Sequence, residues 1–550
     1  MSAVSRCDHD SFQSQMNTLK MQEVAVFICL TFPWLNPFAS GPSPAVTPWL
    51  ISVAALSGIL AVVSWQKYSN KAGVVRGAAC SPQWIFLVAL GWLVAGMVSS
   101  FIGILQYFGP ASVLDPWIAQ TFPGEAFANL RQRNQFASLT NIALAALIWL
   151  AVKLPSFPDV SIQTEKRRLV LLLLAAGLFV TGTAASSSRT GLVQLFLLLA
   201  LCGLWGVWRL RPVRSVLIAA VLTYGVAMVA LPWAAGFDLS LHGMAARLHA
   251  GDTPCASRIT LWSNVLHLIA QKPWLGWGWG ELDYAHYITL YDGPRFCEIL
   301  DNAHNLPLQL AVELGVPAAL LVCGAFMWWV LRQRPWRETN PTRQLAWSVL
   351  AVILLHSMLE YPLWYGPFQM AFGLCLVLLW RARASKQGTE ISLKNTNITR
   401  LMHVSRALLA TFLIAGAGYA VWDYQRISQI YLAPEQRDAA YRSDTLAKIQ
   451  GSWLFANQVD FARLLLTPLT RDNARWTFNL ASALLHYSPE PRIIEKTIES
   501  AVLLGLDNEA LVHLARYQAA FPKDYARWAQ NNAQNLAALQ ALKLGRVSVQ

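Results

Sequence analysis

Residues 169–233 decide the fold, and they read LVLLLLAAGLFVTGTAA, SSSRTG, LVQLFLLLALCGLWGVW, RLRPVRS and VLIAAVLTYGVAMVALPW in unbroken order. Three long apolar runs are thus separated by two short polar segments. Each run comes close to the roughly twenty residues that a helix needs to cross a hydrocarbon core of about 30 Å. A soluble protein would have to bury such runs on every side. The stretch therefore predicts consecutive transmembrane helices.

The rest of the chain repeats this pattern. Of 550 residues, 55% are hydrophobic and 13% are charged, about half the charged fraction of ordinary soluble domains. Many of the 24 tryptophans lie near the ends of apolar runs, as in interfacial aromatic belts. We predict an all-α polytopic membrane protein with about eleven transmembrane helices. The predicted spans are 24–40, 48–66, 84–107, 134–152, 169–185, 190–208, 215–233, 306–331, 344–360, 367–380 and 407–423.

The net charge of +13 sets the topology and does not indicate a nucleic-acid partner. With the N-terminus inside, the cytoplasmic loops hold twenty basic residues and the longer opposite loops hold seven, as the positive-inside rule requires. The cytoplasmic ones are Lys67, Lys71, Arg76, Lys153, Lys166, Arg167, Arg168, Arg209, Arg211, Arg214, Arg332, Arg334, Arg337, Arg343, Arg381, Arg383, Lys386, Lys394, Arg400 and Arg406. The opposite ones are Arg131, Arg133, Arg189, Arg247, Arg258, Lys272 and Arg295.

This topology divides the chain into three regions. Residues 1–23 form a cytoplasmic N-terminus without a cleavable signal pattern, so we expect the first span to stay as an anchor. Residues 24–423 form the transmembrane domain, with a large periplasmic loop at 234–305. Residues 424–550 form a periplasmic helical domain, where apolar spacing at 476–485 and 501–514 predicts short antiparallel helices. The domain is similar to tetratricopeptide-type hairpins but has no strict repeat period.

Two of the eight cysteines, Cys255 and Cys297, fall in the periplasmic loop. A disulfide between them is one hypothesis, because the periplasm is oxidising. Two unpaired thiols are the alternative, because sequence separation does not fix a distance in space.

The most informative polar stretch is DNAHNLPLQLAVELG at residues 301–315. His304 lies where a polar loop enters a span, beside Asn305 and before the carboxylate of Glu313. A histidine can take a proton near neutral pH, which suits it to activating a hydroxyl nucleophile. The alternative is an interfacial histidine that caps the helix together with Asn305.

Two arginines on the same side are candidate anion ligands, Arg189 in SSSRTG and Arg258 in ASRITLW. Charges at membrane depth are costly and are usually functional. Guanidinium groups match phosphate oxygens bidentately, so a lipid pyrophosphate is a natural ligand. Snorkelling to the headgroups is the alternative for each arginine.

Three further motifs lie on this face. The run PWLGWGWGE at 273–281 lacks the βαβ context of a dinucleotide loop, and it favours a sugar-stacking or membrane-edge turn, with an interfacial belt as the alternative. NLRQRNQ at 129–135 opens the fourth span. HSMLEYPLWY at 356–365 ends the ninth, and the spacing of His356 and Glu360 places them on one helix face, with a structural pair as the alternative. No spacing indicates a metal or ATP, so we expect no cofactor.

These motifs resemble those of the O-antigen ligase/polymerase superfamily and, within it, the PglL-like bacterial protein O-oligosaccharyltransferases. SRTG at 188–191, the run from Arg258 to Gly278, and HN at 304–305 with ELG at 313–315 are shared across the superfamily. QRNQ at 132–135 and HSMLEYPL at 356–363 are closer to the protein-glycosylating branch. Gln135 stands where many relatives have His. The likeness covers nearly the whole chain.

The resemblance implies a metal-independent glycosyltransferase of the bacterial inner membrane, with its active site facing the periplasm. It would move a preassembled oligosaccharide en bloc from undecaprenyl pyrophosphate to a Ser or Thr hydroxyl of a periplasmic acceptor, often a type IV pilin. The implied partners are this lipid-linked donor, the acceptor protein and membrane lipids. The implied site residues are catalytic His304, Gln132 and Tyr361, pyrophosphate-binding Arg189 and Arg258, and supporting Asn305, Glu313 and Glu360.

Other functions remain open at this point. An O-antigen ligase, which would transfer the glycan to lipid A–core, is the nearest alternative, and a glycan polymerase is the next. The large terminal domain favours a protein acceptor, because ligases commonly lack such a domain. A transporter would show polar pairs at mid-span or broken helices in two symmetric halves, and the sequence shows neither.

Overall fold

A computed structural model of the protein describes residues 21–39, 41–69, 82–109, 113–153, 162–238, 243–250, 254–386 and 396–532. Within these ranges the structure is helical and contains no strand, so the all-α prediction is confirmed there. Most of the predicted cytoplasmic N-terminus and the basic residues Lys71, Arg76 and Lys394 lie outside the described residues, as does the end of the chain after 532.

The apolar runs form helices close to their predicted bounds. They are α1 (Met21–Leu35), α2 (Val46–Ser69), α3 (Pro82–Phe108), α4 (Arg133–Lys153), α5 (Ile162–Ala185), α6 (Arg189–Leu204) and α7 (Arg211–Ala234). The segment that follows contains α8 (Gly243–Ala250), α9 (Arg258–Gln271), α10 (Leu282–Ile288), α11 (Leu306–Leu314) and α12 (Val316–Gln333). Next come α13 (Pro341–Ser357), α14 (Gly366–Lys386) and α15 (Thr396–Ser428). The chain continues with α16 (Thr445–Ile449), α17 (Ala456–Leu466), α18 (Ala474–Leu484), α19 (Pro491–Leu503), α20 (Asp507–Ala520) and α21 (Pro522–Asn531).

Among the described residues, six helices are long and apolar enough to cross a membrane. They contain Trp84–Phe108, Arg133–Lys153, Gln163–Ala185, Arg211–Ala234, Val316–Arg337 and Val404–Tyr431. Shorter apolar helices overlap four more predicted spans, at Met21–Leu35, Val46–Val62, Arg189–Leu204 and Gly366–Trp380. α13 overlaps the predicted span 344–360. These features support a multi-pass membrane protein, and the number of about eleven crossings stays a prediction.

The prediction of one continuous helix over 306–331 is wrong. α11 ends at Leu314 and α12 begins at Val316, and Gly315 lies between them with φ +89°. A Cβ atom at Gly315 would lie less than 3.0 Å from the carbonyl oxygen of Trp274, so the position requires glycine. The candidate membrane span begins at Val316, which leaves α11 outside it.

The chain divides into two compact units. The first comprises Met1–Gly251 and Gln333–Val421, and the second comprises Asp252–Arg332 and Trp422–Gln550. In the first unit, α4 packs against α3, α5, α6 and α13. Of the residues in its apolar stretch, 89% are buried. A Cβ atom at Gly96 would lie less than 3.0 Å from Ala143. Such small residues let membrane helices approach closely.

In the second unit, the helices α17 to α21 pack in sequence around a core that includes Leu464, Ile493, Ile498 and Tyr517. The helix predicted at 476–485 corresponds to α18. The predicted helix at 501–514 is wrong, because α19 ends at Leu503 and α20 begins at Asp507. The intervening turn contains Gly505 at φ +69°, a left-handed conformation that terminates helices.

Candidate functional site

In the first unit, Asn134 joins three of the polar motifs. Ser188 Oγ donates a hydrogen bond to Asn134 Oδ1 at 2.6 Å, and Asn134 Nδ2 donates to Glu360 Oε1 at 3.1 Å. These bonds hold together the start of α4, the start of α6 and the turn after α13. No role is predicted for Asn134 from the sequence, where its position within the polar run 129–135 is the available signal.

The local structure of the SRTG motif follows from capping and close packing. Ser188 is the N-cap of α6, and its Oγ accepts a hydrogen bond from Gly191 N at 2.9 Å. A Cβ atom at Gly191 would lie less than 3.0 Å from Ala137, so this glycine lets α6 approach α4. Arg189 is therefore the first residue of α6, where the helix dipole favours anions.

A second cation reaches the same turn. Arg247 Nη1 donates to the backbone oxygen of Ser187 at 3.1 Å, and Ser187 itself has φ +49°. From the sequence, Arg247 is predicted only as one of the charges on the outer side. The turn that precedes α6 thus has two arginines close to a helix N-terminus, an arrangement that attracts negative charge.

Gln132 and Tyr361 lie at the same end of α4 and α13 as Glu360. Gln132 Oε1 accepts a hydrogen bond from Gln135 N at 2.6 Å, which satisfies one of the free amides in the first turn of α4. The ring of Tyr361 stacks on Tyr365 with the centroids 5.9 Å apart. The structure therefore places four predicted residues at one polar end of the first unit, namely Gln132, Arg189, Glu360 and Tyr361.

The prediction that His356 and Glu360 share a helix face is wrong. α13 ends at Ser357, so Glu360 lies in the turn beyond it. The buried His356 has its Nδ1 2.9 Å from Ser138 Oγ, which also accepts a hydrogen bond from Gln194 Nε2 at 2.7 Å. These contacts join α13, α4 and α6 inside the bundle, as polar side chains do between membrane helices.

In the second unit, Arg258 and His304 come together from separate motifs. Arg258 is the first residue of α9, and His304 precedes Asn305, the N-cap of α11. Arg258 Nη1 lies 2.9 Å from His304 Nδ1. Beside this contact, Trp262 Nε1 donates to the backbone oxygen of Ala303 at 3.1 Å. The starts of the two helices are thus joined twice.

The opposite ends of these helices are joined by Trp277. Its backbone N donates to Val312 O at 2.8 Å, and its Nε1 donates to Leu268 O at 3.0 Å. α9 and α11 therefore run parallel, and both positively polarised N-termini converge on Arg258 and His304. Two helix starts and a guanidinium together favour an anion more strongly than either alone.

The Arg258 contact defines the tautomer of His304. A guanidinium can only donate hydrogen bonds, so Nδ1 accepts, and the proton of the neutral imidazole lies on Nε2. His304 has φ +51°, and its backbone N donates to Asn302 Oδ1 at 2.9 Å. Such strained conformations concentrate at functional sites. Asn305 has the capping role considered above, because its Oδ1 accepts a hydrogen bond from Leu308 N at 3.2 Å.

The buried Glu313 holds the glycine-rich loop 273–281 against the end of α11. Its Oε1 accepts a hydrogen bond from Gly280 N at 2.9 Å, and its backbone oxygen accepts one from Gly278 N at 3.0 Å. A Cβ atom at Gly276 would lie less than 3.0 Å from the Glu313 backbone. Burial raises the pKa of Glu313 to about 7, against the effect of the Gly280 hydrogen bond. The glycines of the loop 273–281 therefore allow its backbone to lie close to the backbone at the end of α11.

Cys255 and Cys297 form a disulfide, with their Cα atoms 5.3 Å apart. The structure therefore agrees with the predicted disulfide and not with two unpaired thiols. Cys297 N also donates to Cys255 O at 3.3 Å. Cys255 lies three residues before Arg258 and Cys297 seven before His304, so the bridge links the backbone segments that precede the two side chains.

α10 attaches the loop to the C-terminal helices. Tyr287 lies in their hydrophobic core, and its hydroxyl is 2.9 Å from His513 Nδ1. The ring of Tyr284 stacks on His486, whose Nδ1 is 2.6 Å from Glu281 Oε2. The C-terminal helices thus brace the segment between Arg258 and His304.

Two ionisable groups of α10 have strongly shifted pKa values. Burial raises the pKa of Asp283 to about 7, and the carboxylates of Asp301 and Glu281 add to this effect. Burial, with the nearby charge of Arg295, lowers the pKa of His286 to about 3. Near pH 6 both side chains are therefore mostly neutral inside the loop.

No group of three or more His, Cys, Asp or Glu residues in the described part of the chain could hold a metal ion.

Three family models match this chain. The O-antigen ligase model matches residues 169–323, which include Arg189, Arg258 and His304. The protein glycosylation ligase model matches residues 126–151, and the model of the C-terminal region of virulence factor membrane-bound polymerases matches 344–536. The predicted resemblance to the O-antigen ligases is confirmed.

Two curated proteins, both from Acinetobacter baylyi, are similar to this chain. A general O-oligosaccharyltransferase is 23% identical over 343 residues, which is 60% of this chain and 56% of that protein. A ComP-specific O-oligosaccharyltransferase is 24% identical over 299 residues, or 53% of this chain and 49% of that protein. The chain thus spans about half the length of the curated relatives it matches. No solved structure matches it significantly.

The O-antigen ligase match contains residues of both units. Arg189 belongs to the first unit, and Arg258, His304, Asn305 and Glu313 belong to the second. Gln132, Glu360 and Tyr361, which lie outside this match, belong to the first unit.

Proposed function

We propose that this protein transfers a preassembled oligosaccharide from undecaprenyl pyrophosphate to Ser or Thr hydroxyls of a periplasmic protein such as a type IV pilin. The contact of Arg258 with His304 at two converging helix N-termini carries this proposal. It lies in the segment that matches the O-antigen ligases. The names of the two relatives support a protein as acceptor.

The proposed topology has eleven crossings of the bacterial inner membrane, with the loop 234–305 and residues 424–550 in the periplasm. Arg209, between α6 and α7, and Arg211, the first residue of α7, support a cytoplasmic location of that turn. Arg334 and Arg337, between α12 and α13, support the same location for theirs. The loop with Arg258 and His304 then faces the opposite side.

The donor is already activated, so the protein must stabilise a leaving pyrophosphate, align the acceptor hydroxyl and take its proton. Arg258 and the two helix N-termini neutralise the charge on the leaving group, with Arg189 as a second phosphate ligand. Two guanidinium groups supply this charge, so the proposed reaction needs no metal ion. Gln132 and Tyr361 position the reactants, and Asn305, Glu313 and Glu360 support the surrounding backbone.

The His304 tautomer gives the order of events. In the structure, Arg258 occupies Nδ1. When a phosphate oxygen takes over the hydrogen bond of Arg258, Nδ1 is released and can accept the hydroxyl proton. The bond from the sugar anomeric carbon to pyrophosphate then breaks as the bond to the Ser or Thr oxygen forms. His304 keeps the proton, and the pyrophosphate lipid leaves.

The decisive experiment replaces His304 with Ala and co-expresses the variant with a lipid-linked glycan pathway and a pilin. We expect glycan transfer, measured by mass spectrometry of the pilin, to fall by at least about 100-fold at normal abundance of the enzyme. His267, an exposed histidine of α9, provides the control, and His267→Ala should keep full transfer. Full transfer by His304→Ala would refute the role of His304.

An O-antigen ligase that transfers glycan to lipid A–core is the second candidate, because the O-antigen ligase model covers Arg189, Arg258 and His304 together. The same cells distinguish the two functions when their lipopolysaccharide is analysed beside the pilin. Glycan on lipopolysaccharide and none on the pilin would overturn the protein acceptor and support the ligase.

A further inference from the structure

The loop 273–281 exposes three large apolar side chains. Trp274, Leu275 and Trp279 are 76%, 87% and 64% exposed. The neighbouring Trp277, in contrast, is turned inward by its hydrogen bonds to α9 and α11. A cluster of exposed apolar side chains on a short loop indicates a surface that contacts another phase or partner.

The backbone of this loop is fixed to the start of α12. Val316 N donates to Pro273 O at 2.8 Å. The Trp274 carbonyl lies so close to Gly315 that no Cβ atom fits between them. Trp274 and Leu275 therefore adjoin the residue at which the candidate membrane span begins.

The exposed surface of α12 indicates which environment surrounds Trp274 and Leu275. In the apolar stretch of Val316–Arg337, only 6% of the residues are buried by protein. Leu320 and Leu321, one turn into α12, are 69% and 72% exposed, as expected for side chains that face acyl chains. The backbone of Trp274 and Leu275, whose side chains are also exposed, adjoins Gly315, the residue that precedes this apolar helix.

A cation lies beside the same loop. Lys272 is exposed, and its Nζ is 3.9 Å from the centroid of the Trp277 ring. Tryptophan and lysine at the end of a membrane span are typical of the headgroup region, where the indole stays partly apolar and the ammonium meets lipid phosphates. The chemistry of the loop therefore matches a lipid surface.

We propose that Trp274, Leu275 and Trp279 insert into the bilayer at its boundary between headgroups and acyl chains, with Lys272 at the headgroup phosphates. The loop directly follows α9 and packs on the end of α11, so this anchor holds the helix pair at the ends opposite Arg258 and His304. α9 has 14 residues and is about 21 Å long, which limits the distance of Arg258 from the anchored end.

The test places a polarity-sensitive fluorophore on Leu275→Cys in nanodiscs of phosphatidylethanolamine and phosphatidylglycerol. We expect a blue-shifted emission and a quenching of at least about twofold when lipids with a nitroxide near the headgroup replace part of the bilayer. Asp472→Cys, at an exposed position before α18, is the matched control and should show neither effect. Unsubstituted protein treated in the same way gives the signal of the native cysteines, which is subtracted.

Water-like emission at position 275 that nitroxide lipids leave unchanged would overturn the proposal. A blue shift without lipid quenching that grows with the number of protein copies per disc would also overturn it, in favour of a second copy as the occupant. Trp279→Cys repeats the measurement at an independent position. Non-reducing mass spectrometry of the Cys255–Cys297 bridge confirms that each labelled variant is folded.

Discussion

The polar ends of the two units are built in different ways. In the first unit, Asn134 bonds to Ser188 and Glu360, so polar side chains satisfy one another across helices. In the second unit, Arg258 and His304 meet at the starts of two parallel helices, and the surrounding backbone holds them in place. Asn134 thus holds helices together by mutual side-chain hydrogen bonds, whereas Arg258 and His304 are held together at two helix N-termini.

This difference implies different sensitivities. Interhelical hydrogen bonds in membranes contribute about 0.6 to 2 kcal/mol each, so the first unit should survive the loss of any one of them. A misplacement of about 1 Å at a reacting group can cost about 100-fold in rate. The second unit should therefore respond most strongly to changes in the backbone that positions Arg258 and His304, even far from the two side chains.

The largest expected effect comes from Gly315→Ala. The added Cβ cannot fit against the Trp274 carbonyl, and alanine disfavours φ +89°, so the loop 273–281 must shift. We expect glycan transfer to fall by about 100-fold or more, measured by mass spectrometry of the acceptor at equal enzyme abundance. Gly324→Ala, in the helix α12 that follows Gly315, is the matched control, with no atom within 4 Å of its new Cβ, and should behave as the unsubstituted protein. Normal transfer by Gly315→Ala would show that glycan transfer does not depend on the backbone at the junction of Gly315 with the loop 273–281.

Gly315 also shows how far the sequence can predict this fold. Apolar runs suffice to predict where most helices lie, because the length of a run is a local property. The break at Gly315 depends on Trp274, 41 residues earlier, so local hydropathy at 306–331 favours a single helix. The turn at 504–506 is missed similarly, because the apolar spacing of 501–514 continues through it.

For the candidate site too, the sequence predicts local features but not long-range contacts. The motifs predict the residues themselves, but the contact of Arg258 with His304 requires the parallel arrangement of α9 and α11. The role of Asn134 requires partners from α6 and from the turn after α13. These long-range contacts cannot be predicted from the spacing of residues in the motifs or from the composition of the chain. The roles of His304, Gln132 and Tyr361 in transfer stay predictions that rest on the family resemblance.

The next largest effect is expected from removal of the disulfide. Cys255→Ser opens a bridge across 42 residues and should cost the second unit about 2 to 4 kcal/mol. Transfer should fall roughly tenfold, because the covalent link between the backbone segments that precede Arg258 and His304 is lost. Treatment of the unsubstituted protein with a reductant should reproduce this loss. Cys323→Ser, at a free cysteine of α12, is the control. Equal activity of oxidised and reduced enzyme would show that the bridge does not position the pair.

A smaller effect is expected in the first unit. Asn134→Ala removes the bonds to Ser188 and Glu360 and should cost about 1 to 3 kcal/mol, seen as a lower melting temperature in detergent with transfer reduced only a few-fold. Asn134→Asp should be worse, because it sets a second carboxylate beside Glu360. Glu360→Gln keeps an acceptor oxygen for Asn134 and should be the mildest. A loss of transfer as severe as that of Gly315→Ala would erase the difference between the units.

The smallest effect concerns pH. The folded protein holds the proton of Asp283 up to about pH 7, whereas the ordinary pKa is 3.8. The stability due to this proton is therefore present below about pH 4 and is lost as the pH rises to 7. Asp283→Asn should remove this contribution, so the melting temperature of the unsubstituted protein minus that of the variant should decrease by a few degrees from pH 4 to pH 7. The opposite contribution of His286 is common to both proteins and cancels. A difference that is constant with pH would contradict the raised pKa.

The hydrogen bond between Val316 and Pro273 has a consequence for engineering. These residues are 43 positions apart in the chain, yet their backbones meet, so the segment between them begins and ends at one junction. Insertions or deletions at its exposed residues 292–294 can change its outline without displacing α12. The segment can therefore be treated as one structural unit, provided that its contacts with the C-terminal helices through Tyr287 are kept.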